Sequence, residues 1–179
     1  MAMVTLAEVK RSLAPDMSGL VGDANITDLI AGVESDAERI SGRYLLYGTY
    51  TDMFSGNGQT KLFLQGYKVW ELTTVEIDDT EYDVDDFKIN PQLAAIYYEF
   101  GFITGEWNIE VTYTAGYSAT ESGKGAPDGL KRAIIDEIVL RYDYLYGQSK
   151  TGEQIVDLKK DFLSPKAERY FKSLRRVAV

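Results

Sequence analysis

Seven carboxylates crowd residues 76–86 of this chain: Glu76, Asp78, Asp79, Glu81, Asp83, Asp85 and Asp86, with no Lys or Arg among them. Acids so close together could hold a divalent cation or supply the acid and base of a glycoside hydrolysis. An EF-hand loop needs a glycine at its sixth position and a bidentate Glu at its twelfth, and no register here provides both. A carboxylate hydrolase needs one member desolvated, so that its pKa rises. Runs of this kind belong more often to solvated hairpin loops, so the favoured reading is a solvated acidic surface. A surface that repels DNA comes second, and metal binding or catalysis third.

Other candidate chemistry is thinner. Gly56-Asn57-Gly58-Gln59-Thr60-Lys61 has the glycines and lysine of a phosphate loop but not the spacing. It also lies between two strand-like runs instead of opening a helix, so it reads as a turn. Asn25-Ile26-Thr27 has the form of a glycosylation sequon, yet it falls at a helix start, where capping is the simpler role. The chain has neither His nor Cys. It therefore cannot build a thiolate zinc site, a Cys nucleophile, a Ser–His pair or a two-His metal triad. No cofactor is expected. Of its thirteen tyrosines, Tyr142, Tyr144 and Tyr146 share one helix at a spacing that cannot put all three in a core. Subunit contact and ordinary packing are both open for them.

The elements that position these residues follow from periodicity. Thr5-Leu6-Ala7-Glu8 has capping-box spacing and predicts a short helix to about Leu13, stopped by Ala14-Pro15. Asp23 or Asn25 can cap a second helix. There Ile26, Leu29, Ile30, Val33, Ala37, Ile40 and Tyr44 recur at three- and four-residue steps. Asp28, Glu34, Asp36, Glu38 and Arg39 fall largely on its other face. From Tyr47 the period becomes two. A hairpin is expected at Ser55–Gly58, returning through Lys61–Leu64, with strands near 73–77, 82–84, 87–89, 94–98 and 109–113. Pro127-Asp128 then opens a helix with Leu130, Ile134, Ile138, Arg141 and Leu145 on one stripe. Gly147 ends it, and residues 148–163 read as a mobile polar linker. Ser164-Pro165 starts a basic amphipathic helix with Ala167, Tyr170, Phe171 and Leu174 on its apolar face. The fold expected is α+β: a helical bundle of N-terminal helices, a long central helix and a C-terminal helix, with an inserted antiparallel β-rich block at about 48–117. Residues 1–147 would form a single domain, and residues 148–179 a linker and docking helix.

At 179 residues and 45% apolar content the chain can bury a sizeable core. Its net charge is −9, spread unevenly. Residues 158–179 carry seven basic side chains against two acids, or +5, which leaves −14 on the rest. Such a split points to two surfaces with different partners, and the acidic body should repel nucleic-acid phosphates. No apolar run approaches the roughly 18 residues that cross a bilayer, and no signal segment opens the chain, so a cytoplasmically made product is expected.

Four stretches resemble the head–tail connector (adaptor) family of tailed bacteriophages. They are Val4-Thr5-Leu6-Ala7-Glu8-Val9-Lys10, the acidic helix from Asp28-Leu29-Ile30 to Gly42-Arg43-Tyr44, the strand end Val111-Thr112-Tyr113-Thr114-Ala115-Gly116-Tyr117, and Ala126-Pro127-Asp128-Gly129-Leu130-Lys131-Arg132-Ala133-Ile134. The third leading into the fourth is the most specific part, and Phe171-Lys172-Ser173-Leu174-Arg175-Arg176 is similar to the family's ending. The β block between residues 48 and 98 is larger than a minimal member needs.

The resemblance implies a non-catalytic subunit of a closed ring, commonly twelvefold, that joins the portal to stopper or tail proteins in the virion neck. The genome would pass through the ring without specific binding. Tyr170, Phe171, Leu174, Arg175 and Arg176 would dock on the portal, and Asp78, Asp79, Glu81, Asp83, Asp85 and Asp86 would face DNA. On this reading, deleting residues 165–179 leaves a folded body. The rivals are another neck component (a stopper, tail terminator or tail-completion protein) and, further off, a hydrolase using acids such as Asp78, Asp79 or Asp85.

Overall fold

The computed structural model describes residues 2–13, 22–146 and 163–175. They form two compact units: one from residues 43–117, the other from residues 2–42 together with those from 118 onward. The fold is α+β, with an antiparallel β block inserted into a helical unit, as the periodicity predicts.

The helical unit has four helices: α1 (Leu6–Ser12), α2 (Asp23–Ser41), α3 (Asp128–Tyr146) and α4 (Pro165–Ser173). The capping box forms at α1: Thr5 Oγ1 accepts from the Glu8 amide at 3.1 Å, and Glu8 Oε2 accepts from the Thr5 amide at 2.7 Å. Both orphan donors at the helix start are thereby satisfied. The α2 cap is Gly22, with no side-chain cap bond, in place of the expected Asp23 or Asn25. Its other end closes on Gly42 in the left-handed conformation, at φ +64°. Ile26, Ile30, Val33, Ala37 and Ile40 of α2 are buried, as are Leu130, Ala133, Ile134, Ile138 and Tyr142 of α3. Two details of the expected stripes differ. Glu34 is buried, and Leu145 is exposed while Tyr142 takes the inward position. The linker expected at 148–163 lies almost wholly outside the described residues.

The β unit holds two antiparallel sheets. One has the order β1-β7-β3-β4 and the other β2-β6-β5. The strands are β1 (Gly48–Gly56), β2 (Lys61–Phe63), β3 (Val69–Ile77), β4 (Thr80–Tyr82), β5 (Phe87–Asn90), β6 (Ala95–Tyr98) and β7 (Gly105–Ala115). Alternation along β7 turns Ile109, Val111, Tyr113 and Ala115 inward. There they meet Val75 and Ile77 of β3, Leu62, Ile96 and Phe102 in one apolar core. The expected Ser55–Gly58 hairpin is a different object. β1 pairs with β7 and β2 with β6, so the turn carries the chain from one sheet to the other. Phe54 and Gly56 straddle a bulge in the β1–β7 register, which bends the chain out of the first sheet.

Candidate functional site

The acidic run falls on the β3–β4 hairpin and the short 3-10 turn that follows it, Val84–Asp86. Asp78 and Asp79 make the two-residue turn, both at positive φ (51° and 58°). Aspartate tolerates that conformation better than most residues, because its short side chain can bond locally. Asp83 caps the 3-10 turn by accepting from the Asp85 amide at 3.0 Å. Asp78, Asp79, Glu81, Asp83, Asp85 and Asp86 are all solvent-exposed. Among the described residues no group of three or more carboxylates converges as metal ligands would. The acids thus share an edge, and none has the desolvated partner that general acid catalysis requires.

The buried carboxylates are elsewhere. Glu34 Oε1 accepts from the backbone amides of Met3 at 2.6 Å and Val4 at 3.3 Å. Burial pushes its pKa up to about 7 against those two bonds, which pull it down. Glu137 Oε1 takes the Arg141 guanidinium at 3.1 Å, and its Oε2 takes the Ser164 amide at 3.1 Å. Arg141 reaches on to Asp36 at 2.7 Å. Each of these acids ties one segment of the helical unit to another. Their donors are main-chain amides and arginine, not a cavity open to substrate.

The Tyr-Thr-Ala-Gly-Tyr strand end is likewise structural. Tyr113 is fully buried, and its hydroxyl donates to Asp52 Oδ2 at 2.6 Å while accepting from the Gly66 amide at 2.9 Å. The Gln65 amide adds a third bond, to Asp52 Oδ2 at 2.8 Å. Burial and the Asp52 carboxylate raise the Tyr113 pKa far beyond its usual range, so the phenol stays protonated. Gly66 lies so close that a Cβ there would stand 2.5 Å from Ala115 Cβ. At Gly116 (φ +89°) a Cβ would meet the Leu46 carbonyl oxygen at 2.1 Å. The motif is where the chain leaves the β unit, and its tight approach explains the glycine. Asp52 and Gly66 were the partners the strand pattern did not disclose. Asp52 is an inward-facing acid in a strand, and that alternation is the signal that could have found it.

Of the residues expected to dock on a partner, Phe171 is fully buried and holds α4 onto the helical unit with Ala167. Tyr170 and Leu174 are half-buried, and Arg175 is exposed except that its Nε donates to the Ile40 carbonyl at 2.6 Å. Arg176 lies outside the described residues. Between α3 and α4 a cavity of about 410 Å³ opens, lined by Gly129, Ala133 and Tyr170 with Arg132, Lys166 and Arg169. Gly129 makes it possible: a Cβ there would come within 2.9 Å of the Tyr170 hydroxyl.

A family model described as head completion protein matches residues 2–177. No curated protein matches the sequence. Among solved structures, one described as the neck of an empty gene transfer agent particle computed with C6 symmetry is 16% identical. Its TM-score is 0.65, over 99% of this chain and 91% of that one. A virion of a native gene transfer agent particle contains a chain 15% identical, with TM-score 0.67 and the same coverage. The neck of a native particle computed with C12 symmetry gives 16% identity and TM-score 0.57, over 97% and 89%. At these identities the structural likeness establishes the fold. The family match spans nearly the whole chain, and by it the protein belongs to the head completion protein family, as a structural, non-enzymatic protein of the phage head–tail connector.

Proposed function

We propose that the protein is a subunit of a ring that docks beneath the portal of the capsid and joins it to the stopper or tail, with DNA passing through its centre. The observation that carries this reading is the family match from residue 2 to residue 177. The symmetric necks in which the similar folds occur support a ring, and a heterologous contact that closes by rotation would build one. A dodecamer is the stoichiometry we favour. The portal contact is assigned to the C-terminal end of α4, through Leu174, Arg175 and Arg176 with Tyr170 beside them, while Phe171 anchors the helix from below. The acidic edge from Asp78 to Asp86 is assigned to the channel, where the absence of Lys and Arg would deny phosphates a grip.

The rival is another neck component, bound to the tail side. Incubating the purified protein with portal rings and, separately, with tail tubes decides between them. Association with portal rings, seen as a co-sedimenting complex with an added ring in electron micrographs, is the expected outcome. Binding to tail tubes with none to the portal would overturn the assignment.

A further inference from the structure

One end of the β unit displays large apolar side chains to solvent. Phe100 is 82% exposed, Trp107 68% and Ile103 52%. Single exposed apolar residues are ordinary, but two on the β6–β7 loop and a third at the start of β7 make a patch. The segments that carry them are tied down. Phe102, fully buried between Phe100 and Ile103 in sequence, exchanges bonds with the neighbouring turn: its amide donates to the Gln59 carbonyl and its carbonyl accepts from Gly58, both at 2.8 Å. Asn108 accepts from the Gly56 amide at 3.0 Å and donates to the Ile103 carbonyl at 3.2 Å. The Trp107 amide donates to Ser55 Oγ at 3.0 Å, which holds the tryptophan in the left-handed region at φ +53°. A bulky residue is rarely kept there, and backbone strain of this kind persists where surrounding structure enforces it. The result is a rigid aromatic tip.

The tip is also acidic. Glu99 and Glu106 flank Phe100 and Trp107, both exposed, and no Lys or Arg occurs between Lys88 and Lys124. Its complement is an apolar hollow with a basic rim. The α3–α4 cavity has that chemistry: Gly129, Ala133 and Tyr170 within, and three bases, Arg132, Lys166 and Arg169, against one acid, Asp136, around it. Lys166 pairs with Asp136, whereas Arg132 and Arg169 have no ion-pair partner among the described residues. At about 410 Å³ the hollow has room for an aromatic side chain.

We infer that the aromatic tip of one copy seats in the α3–α4 hollow of a second copy, with Trp107 and Phe100 as anchors and Glu99 and Glu106 against Arg132 and Arg169. This rests on the ring reading above and supplies its subunit contact. Tip and hollow are different surfaces, so the contact is heterologous and propagates from copy to copy. It uses Lys166, Arg169 and Tyr170 of α4, so Tyr170 serves the subunit contact and Leu174 onward is left for the portal. Trp and Arg are the residues that most often dominate such contacts.

The test uses the absence of native cysteine. Two full-length chains, one carrying Glu106→Cys and the other Arg169→Cys, are mixed and oxidised, alone and on purified portal rings. The disulfide-linked products are then identified by mass. The expected product is the unlike dimer, and a single chain carrying both substitutions gives a ladder of higher oligomers. Reversing the tip with Glu99→Lys and Glu106→Lys should weaken association at least about tenfold, and a second chain carrying Arg132→Glu and Arg169→Glu should restore it. Trp107→Ala should weaken it about thirtyfold. Rings that form without the unlike cross-link, or charge reversal without rescue, overturn this contact and leave the ring reading intact. Failure to assemble either alone or on portal rings overturns the ring reading, and this contact with it.

Discussion

Glu34 and Glu137 are the acids of the helical unit that chemistry alone would single out, because a buried carboxylate is costly unless its lone pairs are used. Both are used structurally, Glu34 by the amides of Met3 and Val4 and Glu137 by Arg141 and the Ser164 amide. For Glu34 a consequence can be measured. Burial raises its pKa from 4.5 to about 7, so the folded protein holds that proton to a higher pH than the unfolded chain does. The contribution to stability is then complete below about pH 4.5 and is lost as pH rises to about 7. Denaturant titrations of the parent and of Glu34→Gln at about pH 5 and about pH 8 should show the parent losing roughly 1–3 kcal/mol more than the variant across that interval. Equal slopes would mean that Glu34 titrates normally. None of this was legible in the sequence. Helical spacing placed Glu34 with Asp28 and Asp36 on the polar face, and the amides that draw it inward come from a segment about thirty positions earlier. By contrast, the Thr5–Glu8 capping box was fully legible, since both partners lie within four residues and the interaction is local.

At the scale of elements the same division holds. Helices and strands that bury an uninterrupted face, such as α2, α3 and β7, announce themselves by period. What period cannot give is pairing. The turn at Ser55–Gly58 has hairpin composition, yet its flanking strands enter different sheets, β1 beside β7 and β2 beside β6. The C-terminal helix shows the limit most clearly. Its apolar stripe suits docking on a partner and packing on its own domain alike, and the structure buries Phe171 and Ala167 in the helical unit. Arg175 bonds the Ile40 carbonyl near the end of α2. An apolar stripe states that a helix packs, not on what. Phe171→Ala should therefore cost about 3–5 kcal/mol of unfolding free energy, as large-to-small changes in a core do. Arg169→Ala, on the exposed side, should change it by less than about 0.5 kcal/mol. Thermal melts followed by circular dichroism decide between them. A Phe171→Ala protein that melts with the parent would show that α4 is only loosely held. For the same reason, truncation at residue 165 is expected to unsettle the helical unit, so portal docking is better tested by substituting exposed positions.

For the whole molecule the distribution of charge carries the argument. The split between an acidic body and a basic C-terminal segment was visible by counting. Assembly was not, because a ring contact joins surfaces that lie far apart in sequence and on different copies. Under the ring reading, the acidic edge formed by β4 and the following turn lines the channel, and its role is repulsion, which can be inverted. Glu81, Asp85 and Asp86 are suited to this, being exposed and at ordinary backbone angles, whereas Asp78 and Asp79 hold the left-handed turn and are left unchanged. Glu81→Lys, Asp85→Lys and Asp86→Lys together should leave folding and ring formation intact. Rings of the variant should then retain DNA that rings of the parent release. Because Lys–phosphate contacts release counterions, that retention should weaken at least about tenfold between about 50 mM and 200 mM salt, as measured by electrophoretic shift. If variant rings release DNA as freely as the parent at low salt, the edge faces outward. The channel would then have to be lined by another surface of the chain.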